Sequence, residues 1–392
     1  MIIRIFKLLI KSKIILQSPL ETDLIIFDNE SINELKHILK NRSYFVLKSR
    51  PDKIDTIYIS PKIIYFFLIY FRGNLSTAYQ ASLIRILRPK IVITFIDNSF
   101  KFFDLARIFR NKITFLAIQN AARYDIILHK HEYKKGIRKS DLTRSFFIPN
   151  FLCFGRYEIK HYKKHKINVE TFQPVGSLRL ANFLEHERNK IKKESKKIYD
   201  ICLISDAAIN FDKLYKIKEI ENGFALLVKF VIKFCKDHKK RIIFATKRQE
   251  KRAYKTEIKF FKDHLNREEF KFLIRNSISK NKKEKYTSYS SMVKSKVSIG
   301  CMTTMLRENL SMGGKIFACN FTNVSLFDFP LNKFFFLKNK NYRDFERKFL
   351  EILNMSEKQF ISRLGSKKDY LIENSKKVNT INLINRTINK FL

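Results

Sequence analysis

Short apolar runs alternate with amphipathic stretches along the first half of the chain. The apolar runs predict strands at residues 23–27, 44–47, 56–59, 91–95, 113–118, 148–154 and 169–175. The amphipathic stretches predict helices at residues 31–40, 76–87, 100–109 and 157–165, and Ser31 with Glu34 has the spacing of an N-terminal capping box. Residues 63–70 fit either a strand or a buried helix. Because strands that alternate with helices usually pair in parallel, we expect a parallel sheet with crossover helices.

The second half of the chain repeats this alternation. Strands are predicted at 199–205, 241–245, 296–299 and 315–320, and helices at 224–238, 289–295, 342–353 and from 356 onward. Residues 249–285 look like a variable basic stretch, and the charge-rich stretch 185–197 marks a domain boundary. We therefore predict an α/β fold with two Rossmann-like parallel-sheet domains, the GT-B architecture, and C-terminal helices. The predicted boundaries are 1–180 for the first domain, 181–198 for a charged helical linker and 199–392 for the second domain.

The segment that follows the predicted strand at 296–299 carries the pattern of a ligand site. Gly300, Thr303 and Thr304 form a turn before a helix begins. Free backbone N–H groups and the helix dipole attract an anion at such a helix start, and threonine hydroxyls can donate to a phosphate. Glu308, one helical turn beyond Thr304, can reach a ribose hydroxyl. The same residues also fit an ordinary β-α-β unit with threonine as the N-cap.

The chain is strongly basic, with 79 Lys and Arg against 37 Asp and Glu and a formal net charge of +42. This excess implies an anionic partner: a nucleotide, a membrane surface or nucleic acid. No charge-free apolar run is long enough to span a bilayer. The apolar start of the chain, residues 1–11, is broken by Lys7 and Lys11, so we expect no signal peptide. It fits an interfacial amphipathic segment or, preferably, a first strand or helix.

Cysteine usage and missing motifs exclude several classes of site. The cysteines lie scattered, mostly inside apolar runs, at Cys153, Cys202, Cys235, Cys301 and Cys319. Their spacing is not that of zinc ligands, which predicts buried thiols in a reducing compartment. The chain lacks the HExxH, GxSxG and P-loop patterns, and no DxD motif stands at the end of a predicted strand. We therefore expect neither a cofactor nor a metal ion.

Four short runs, taken in order, resemble a known family. They are RPKIVITFIDNS at 88–99, FLAIQNAAR at 115–123, FG at 154–155 and PVGS at 174–177. They resemble bacterial surface-carbohydrate (O-antigen) biosynthesis proteins, which look like GT-B glycosyltransferases and are distantly similar to capsule and CDP-glycerol-type transferases. The resemblance covers about residues 91–320. The family pattern has glycine after Gln-Asn, where this chain has Ala121; if that glycine serves a turn with positive φ, alanine would strain it.

The resemblance implies a nucleotide-activated donor bound by the second domain. A transferase without a metal stabilises its leaving group with Lys, Arg, hydroxyls and helix N-termini. Lys247 and Arg248, which follow the predicted strand at 241–245, fit this role, and a solvated surface pair fits them equally well. A helix-borne Glu often binds the ribose in GT-B enzymes. The predicted donor-binding residues are Lys247, Arg248, Gly300, Thr303, Thr304 and Glu308.

The resemblance also implies that the first domain supplies the base that takes the proton of the acceptor hydroxyl. Asp97 is the leading candidate because it follows the predicted strand at 91–95, and ligands bind at the carboxyl ends of parallel strands. Asp97 equally fits a helix N-cap, which Asn98 or Ser99 could also provide, or a substrate-positioning role. His129 and His131 are alternative bases. The predicted acceptor-binding residues are Asn98, Gln119, Asn120 and Arg123.

These features together predict a glycosyltransferase of surface polysaccharide assembly. It would transfer a sugar or an alditol phosphate from a nucleotide-activated donor to a lipid-linked or glycan acceptor, and nucleic acid is not an expected partner. We expect a cytoplasmic protein held peripherally on the anionic inner face of the cytoplasmic membrane. Two alternatives stay open: a GT-B-fold nucleotide-sugar epimerase, which would need no acceptor, and a non-enzymatic basic protein that binds membrane or nucleic acid.

Overall fold

The computed structural model describes residues 10–123, 146–186, 197–206, 218–246, 251–277, 286–367, 369–373 and 379–392. The chain divides into two compact units. The first unit comprises the described residues within Met1–Asn120, Tyr133–Asn182 and Lys376–Leu392. The second unit comprises the described residues within Ala121–Glu132 and Phe183–Ser375.

Each unit is built on a parallel sheet. The strands of the first unit are β1 (Lys13–Ile15), β2 (Leu24–Phe27), β3 (Phe45–Leu47), β4 (Thr56–Tyr58), β5 (Ile91–Thr94), β6 (Thr114–Ile118), β7 (Phe147–Cys153) and β8 (Asn168–Pro174). The strands of the second unit are β9 (Tyr199–Ile204), β10 (Ile242–Ala245), β11 (Ser295–Gly300), β12 (Lys315–Cys319) and β13 (Phe336–Leu337). The first sheet has the order β3-β2-β5-β6-β7-β8, the second has β10-β9-β11-β12-β13, and β1 pairs with β4. All these pairs are parallel, as predicted.

The two sheets share one topology. In each, the first strand lies inside the sheet, the second lies on one side of it and the third on the other. The order therefore reverses between β2 and β5 in the first sheet and between β9 and β11 in the second. Open parallel sheets bind ligands at the carboxyl ends of the strands beside such a switch point. The predicted α/β fold class with Rossmann-like parallel sheets and C-terminal helices is confirmed.

Helices connect the strands and close the chain. They are α1 (Ile32–Leu35), α2 (Pro61–Tyr70), α3 (Leu75–Leu87), α4 (Phe100–Ile108), α5 (Arg156–Lys164), α6 (Leu178–His186), α7 (Lys218–Asp237), α8 (Lys251–His264), α9 (Arg267–Arg275), α10 (Thr287–Val293), α11 (Thr304–Ser311), α12 (Tyr342–Asn354), α13 (Glu357–Leu364) and α14 (Thr380–Asn389). Within the described ranges, no helix is both long and apolar enough to cross a membrane. The apolar run at 63–70, for which the sequence allowed either a strand or a buried helix, is part of helix α2.

The central strands are buried on both faces. Every residue of β2, β5, β10 and β12 is buried. Parallel sheets need helices on both faces, which explains why their strands are continuous apolar runs without alternation. The one charged side chain in these four strands, Lys315 of β12, donates its Nζ to the carbonyl oxygens of Ile352, Leu353 and Met355. This lysine therefore satisfies carbonyl groups at the end of α12.

Ser31 has a different role from the one predicted. The capping-box spacing suggested that Ser31 caps a helix at 31–40, but the α-helix spans only Ile32–Leu35 and Ser31 makes no side-chain cap. Its Oγ instead donates to the carbonyl oxygen of Phe27, 3.1 Å away, and accepts from the N–H of Phe95 at 2.9 Å. The buried hydroxyl thus ties the end of β2 to the end of β5, where it satisfies two backbone groups that the ladder leaves unpaired.

Two other segments differ from the sequence-based expectation. Residues 379–392 were expected in the second domain, but Ile384 and Ile388 of α14 lie in the apolar core of the first unit. The stretch 249–285 contains two helices, α8 and α9. Asn266 and Glu269 form a capping box at the start of α9, with each side chain accepting from the other residue's N–H. The Asn-x-x-Glu spacing of this capping box is a local signal that the sequence itself carries.

Gly223 lets α7 approach the chain that follows β12. A Cβ atom at this position would lie 2.6 Å from the carbonyl carbon of Phe321 and 2.7 Å from the backbone nitrogen of Thr322. These are backbone atoms, so no side-chain rotation relieves the overlap. We expect Gly223→Ala to lower the free energy of unfolding by about 1–3 kcal/mol, although alanine is favoured over glycine in helices by about 1 kcal/mol.

The measurement is urea unfolding followed by circular dichroism. The matched control is Asn222→Ala, an exposed neighbour in the same helix, whose stability should stay equal or rise slightly. A Gly223→Ala variant as stable as the parent would contradict the close helix–backbone approach.

Candidate functional site

The switch point of the second sheet carries a carboxylate bound by backbone N–H groups. Asp206 follows β9, and its Oδ2 accepts from the N–H of Cys301 at 2.7 Å and of Met302 at 3.2 Å. The Asp206 side chain is buried. In the turn that the sequence predicted as an anion site, backbone N–H groups therefore donate to a carboxylate of the protein itself.

Glycine at position 300 allows this close approach. A Cβ atom on Gly300 would lie 3.2 Å from Oδ2 of Asp206 and 3.1 Å from Cγ2 of Thr303. Both distances are shorter than ordinary van der Waals contact, so a larger residue would displace the carboxylate or the turn. Gly300, which was predicted to bind the donor, thus shapes the turn because glycine has no side chain.

Thr303 and Thr304 lie where the sequence placed them, at the start of α11. Thr303 is the N-cap, and its hydroxyl accepts from the N–H of Met305 at 3.2 Å. The Oγ1 of Thr304 accepts from the N–H of Ala122, 2.8 Å away. Both side chains are partly exposed. Because a hydroxyl that accepts one hydrogen bond keeps its own proton, each can still donate to a ligand oxygen.

Glu308 is more enclosed than a ribose ligand in an open site. Its side chain is only 2% exposed, and its Oε2 accepts from the phenol OH of Tyr289 at 2.8 Å. Tyr289 itself belongs to the buried core of the second unit and lies on α10. The contact joins α10, which precedes β11 in the chain, to α11, which follows it. The predicted ribose role of Glu308 stays a prediction, and the structure adds this structural contact to it.

Two of the predicted donor-binding residues, Lys247 and Arg248, lie outside the described residues. The alternative bases predicted for the first domain, His129 and His131, also lie outside them. Burial, with the nearby Asp206 carboxylate, raises the pKa of the Cys301 thiol well above its ordinary value, so the turn carries no thiolate. Among the described residues, no group of three His, Cys, Asp or Glu side chains is arranged to hold a metal ion.

Asp97 lies at the carboxyl end of β5 and is fully buried. Its Oδ1 accepts from the N–H of Asn120 at 3.3 Å. The N-cap of α4 is Ser99, whose Oγ accepts from the N–H of Phe102, so Asp97 is not that cap. Gln119 is also buried, and its Oε1 accepts from the N–H of Phe154 at 2.8 Å. Asp97 and Gln119 therefore connect the ends of β5, β6 and β7.

The other predicted acceptor residues are more accessible. Asn98, Asn120 and Arg123 are partly exposed. Ala121, which stands where the resembled family has glycine, is not among the non-glycine residues with positive φ. The alanine therefore fits this turn without the strain that a left-handed conformation would impose.

The first sheet has a polar cluster at its own switch point that was not predicted. Asp28 follows β2 with φ of 70°. It accepts from the hydroxyl of Ser49 and lies 3.3 Å from Nε of Arg50. Lys101 of α4 donates to the carbonyl oxygen of Ser49 at 3.0 Å and to the hydroxyl of Ser76 at 2.9 Å. Burial lowers the pKa of Lys101 from its ordinary value. The sequence signal was an aspartate directly after a strand, the same signal that selected Asp97.

Comparison with known proteins finds likeness in structure alone. No protein-family profile matches the chain, and no curated protein matches its sequence. A variant of the wall teichoic acid polymerase TagF is similar over 94% of this chain and 89% of its own, with a TM-score of 0.53 and 10% identity. A sucrose-phosphate synthase from Thermosynechococcus elongatus is similar over 95% of this chain and 99% of its own, with a TM-score of 0.51 and 10% identity. These similarities agree with the two-sheet fold, which is of the GT-B type.

Removing the Asp206 carboxylate tests what holds the turn after β11. Asp206→Ala leaves the N–H groups of Cys301 and Met302 without this acceptor, and each buried unsatisfied group costs about 1–3 kcal/mol. We expect the thermal midpoint to fall clearly. Asp206→Asn keeps an acceptor oxygen in the same place and should lose much less. Equal midpoints for the two variants would contradict the role of these hydrogen bonds.

Proposed function

We propose that this protein is a GT-B glycosyltransferase of surface polysaccharide assembly. It would transfer a sugar or an alditol phosphate from a nucleotide-activated donor to a lipid-linked or glycan acceptor. The observation that carries the proposal is the turn between β11 and α11, where backbone N–H groups hold an anionic oxygen at a switch point. The likeness to the TagF polymerase over nearly the whole chain supports the same reading.

The donor's phosphate groups would bind at the start of α11. The leaving group is a nucleotide phosphate whose negative charge grows during transfer, so donors fixed beforehand lower the barrier. The hydroxyls of Thr303 and Thr304 and the N-terminus of α11 are such donors, and Lys247 and Arg248 would add positive charge without a metal ion. Glu308 would bind the ribose.

Asp206 sets a condition on this binding. A phosphate that used the N–H groups of Cys301 and Met302 would meet the carboxylate already hydrogen-bonded there. Two anions at one turn repel each other strongly where water is excluded. Donor binding would therefore displace Asp206, or the phosphate would bind one residue further along, at Thr303 and Thr304.

The acceptor would bind at the carboxyl edge of the first sheet. A base must come within hydrogen-bond reach of the acceptor hydroxyl. Asp97 is fully buried and accepts from Asn120, so the base role requires the turn at Asn120 to open, whereas a positioning role requires no movement. Asn98, Gln119 and Asn120 are the further acceptor-side residues of the proposal at this edge.

The net charge of +42 supports a place for the enzyme at an anionic surface. Anionic lipids attract basic residues by about 1 kcal/mol for each residue close to the membrane. We propose that the protein is cytoplasmic and acts at the inner face of the cytoplasmic membrane, where a lipid-linked acceptor would be held.

A nucleotide screen tests the donor site. We expect one of CMP, CDP, UDP, GDP and ADP to raise the thermal midpoint selectively at moderate salt. Thr304→Ala should weaken that nucleotide about 3–10-fold, the value of one hydrogen bond. Glu308→Gln, which keeps an acceptor oxygen for Tyr289, separates ribose binding from stability. Equal weak effects of all five nucleotides, abolished by salt, would instead indicate a basic binding surface.

The charge of Asp206 gives a second test of the same site. Asp206→Asn removes the negative charge and keeps an oxygen for the turn, so we expect calorimetry to show about tenfold tighter binding of the selected nucleotide. The matched control is Asp263→Asn, which changes the net charge equally on an exposed part of α8. Equal affinities in the two variants would mean that the phosphate does not approach the β11–α11 turn.

A further inference from the structure

Helix α2 exposes an apolar face. Ile64 is 52% exposed, Tyr65 62%, Leu68 68% and Ile69 51%. Their spacing of one, four and five positions places all four on a single face of the helix. Isolated exposed apolar residues are normal on a protein surface, but a continuous group of this kind marks an interaction site.

Basic residues lie at both ends of this face. Lys62 precedes Tyr65 by three positions on the helix, and Arg72 lies just beyond the end of the helix at Tyr70; both are exposed. Between Asp55 and Asp97 the chain has no acidic residue and five basic ones. The face is therefore apolar in its middle, cationic at its ends and free of carboxylates from its own segment.

The helix is held with this face outward. The Ser60 hydroxyl caps its start by accepting from the N–H of Ile63, whose side chain is buried. On the inner side, the guanidinium of Arg85 lies over the ring of Phe66, at 5.8 Å, and the ring of Tyr70 packs on Phe109. The inner contacts thus leave the apolar outer face in solvent.

A second exposed segment joins the start of α2. Strand β1 pairs with β4, and the hydroxyls of Ser18 and Ser60 lie 2.7 Å apart. In this segment Leu16 is 80% exposed and Leu20 is 89% exposed. Its charged residues are Lys11 and Lys13, and residues 10–20 contain no acidic residue. The combination of apolar and basic side chains therefore extends past the helix itself.

We infer that an anionic lipid bilayer binds here, with α2 lying in the plane of the headgroups. The docking surface, called the α2 surface, consists of Lys62, Ile64, Tyr65, Leu68, Ile69 and Arg72. Apolar side chains would enter the acyl boundary, tyrosine suits the interface, and Lys and Arg would reach lipid phosphates. In a symmetric contact with a second copy the same patch would face itself and bring like charges together. Charge complementarity therefore favours an anionic membrane.

This inference rests on the proposed function in one respect: the proposed lipid-linked acceptor gives the protein a reason to contact a membrane. The test is flotation of the full chain with phosphatidylcholine vesicles, with and without phosphatidylglycerol. We expect the parent to float with the anionic vesicles. Leu68→Ser with Ile69→Ser should lower the partition coefficient about tenfold, because two apolar side chains no longer enter the bilayer. Lys62→Gln with Arg72→Gln should lower it mainly at low salt.

Ile198→Ser is the matched control, an exposed apolar residue elsewhere in the chain, and it should float like the parent. Thermal midpoints and nucleotide affinities measured without vesicles report folding and the donor site separately, so failure of the glycosyltransferase proposal does not affect the flotation result. Two outcomes overturn the inference. One is unchanged flotation of the Leu68 and Ile69 variant. The other is a parent protein that stays off vesicles and self-associates in the ultracentrifuge until those residues are changed.

Discussion

Parallel pairing between the first and third strands of each sheet determines where the candidate residues lie. The pairs are β2 with β5 and β9 with β11. Each pair brings two carboxyl ends together at the point where the strand order reverses, and it leaves the backbone groups beyond the strands to find other partners. Ser31 fills this need in the first sheet and Asp206 in the second. The same constraint thus produces a serine contact in one sheet and a turn that holds an aspartate carboxylate in the other.

The electrostatics of the two switch points contrast with the charge of the whole protein. The chain is strongly basic, yet an aspartate follows the first strand of each main sheet. Arg50 lies beside the Asp28 carboxylate, and backbone N–H groups donate to the Asp206 carboxylate. The overall positive field can raise the local concentration of an anionic ligand or membrane, but the fixed N–H groups decide where one oxygen binds. Long-range attraction and local recognition therefore come from different parts of the molecule.

Folding does not require the apolar side chains on the outer face of α2. The helix already packs through Ile63 and Phe66, and its outer face would be polar in an ordinary surface helix. Apolar side chains in water gain nothing from the fold, so their presence there fits a second surface that covers them. The flanking Lys62 and Arg72 give that surface its expected charge.

The sequence by itself predicted every described strand except β1 and β13, together with parallel pairing, because burial of the central strands on both faces appears directly as short continuous apolar runs. It also allowed a threonine N-cap at the start of α11, and in the structure this cap is Thr303, since capping depends on residues within one helical turn. Only the tertiary structure decided that Asp206 occupies the turn after β11, that Glu308 is buried against Tyr289, that α14 joins the first unit and that α2 turns its apolar face outward. These features depend on residues that are distant in the chain; Asp206 and Cys301, for example, are 95 positions apart. They follow from strand order and helix packing, which local periodicity does not encode.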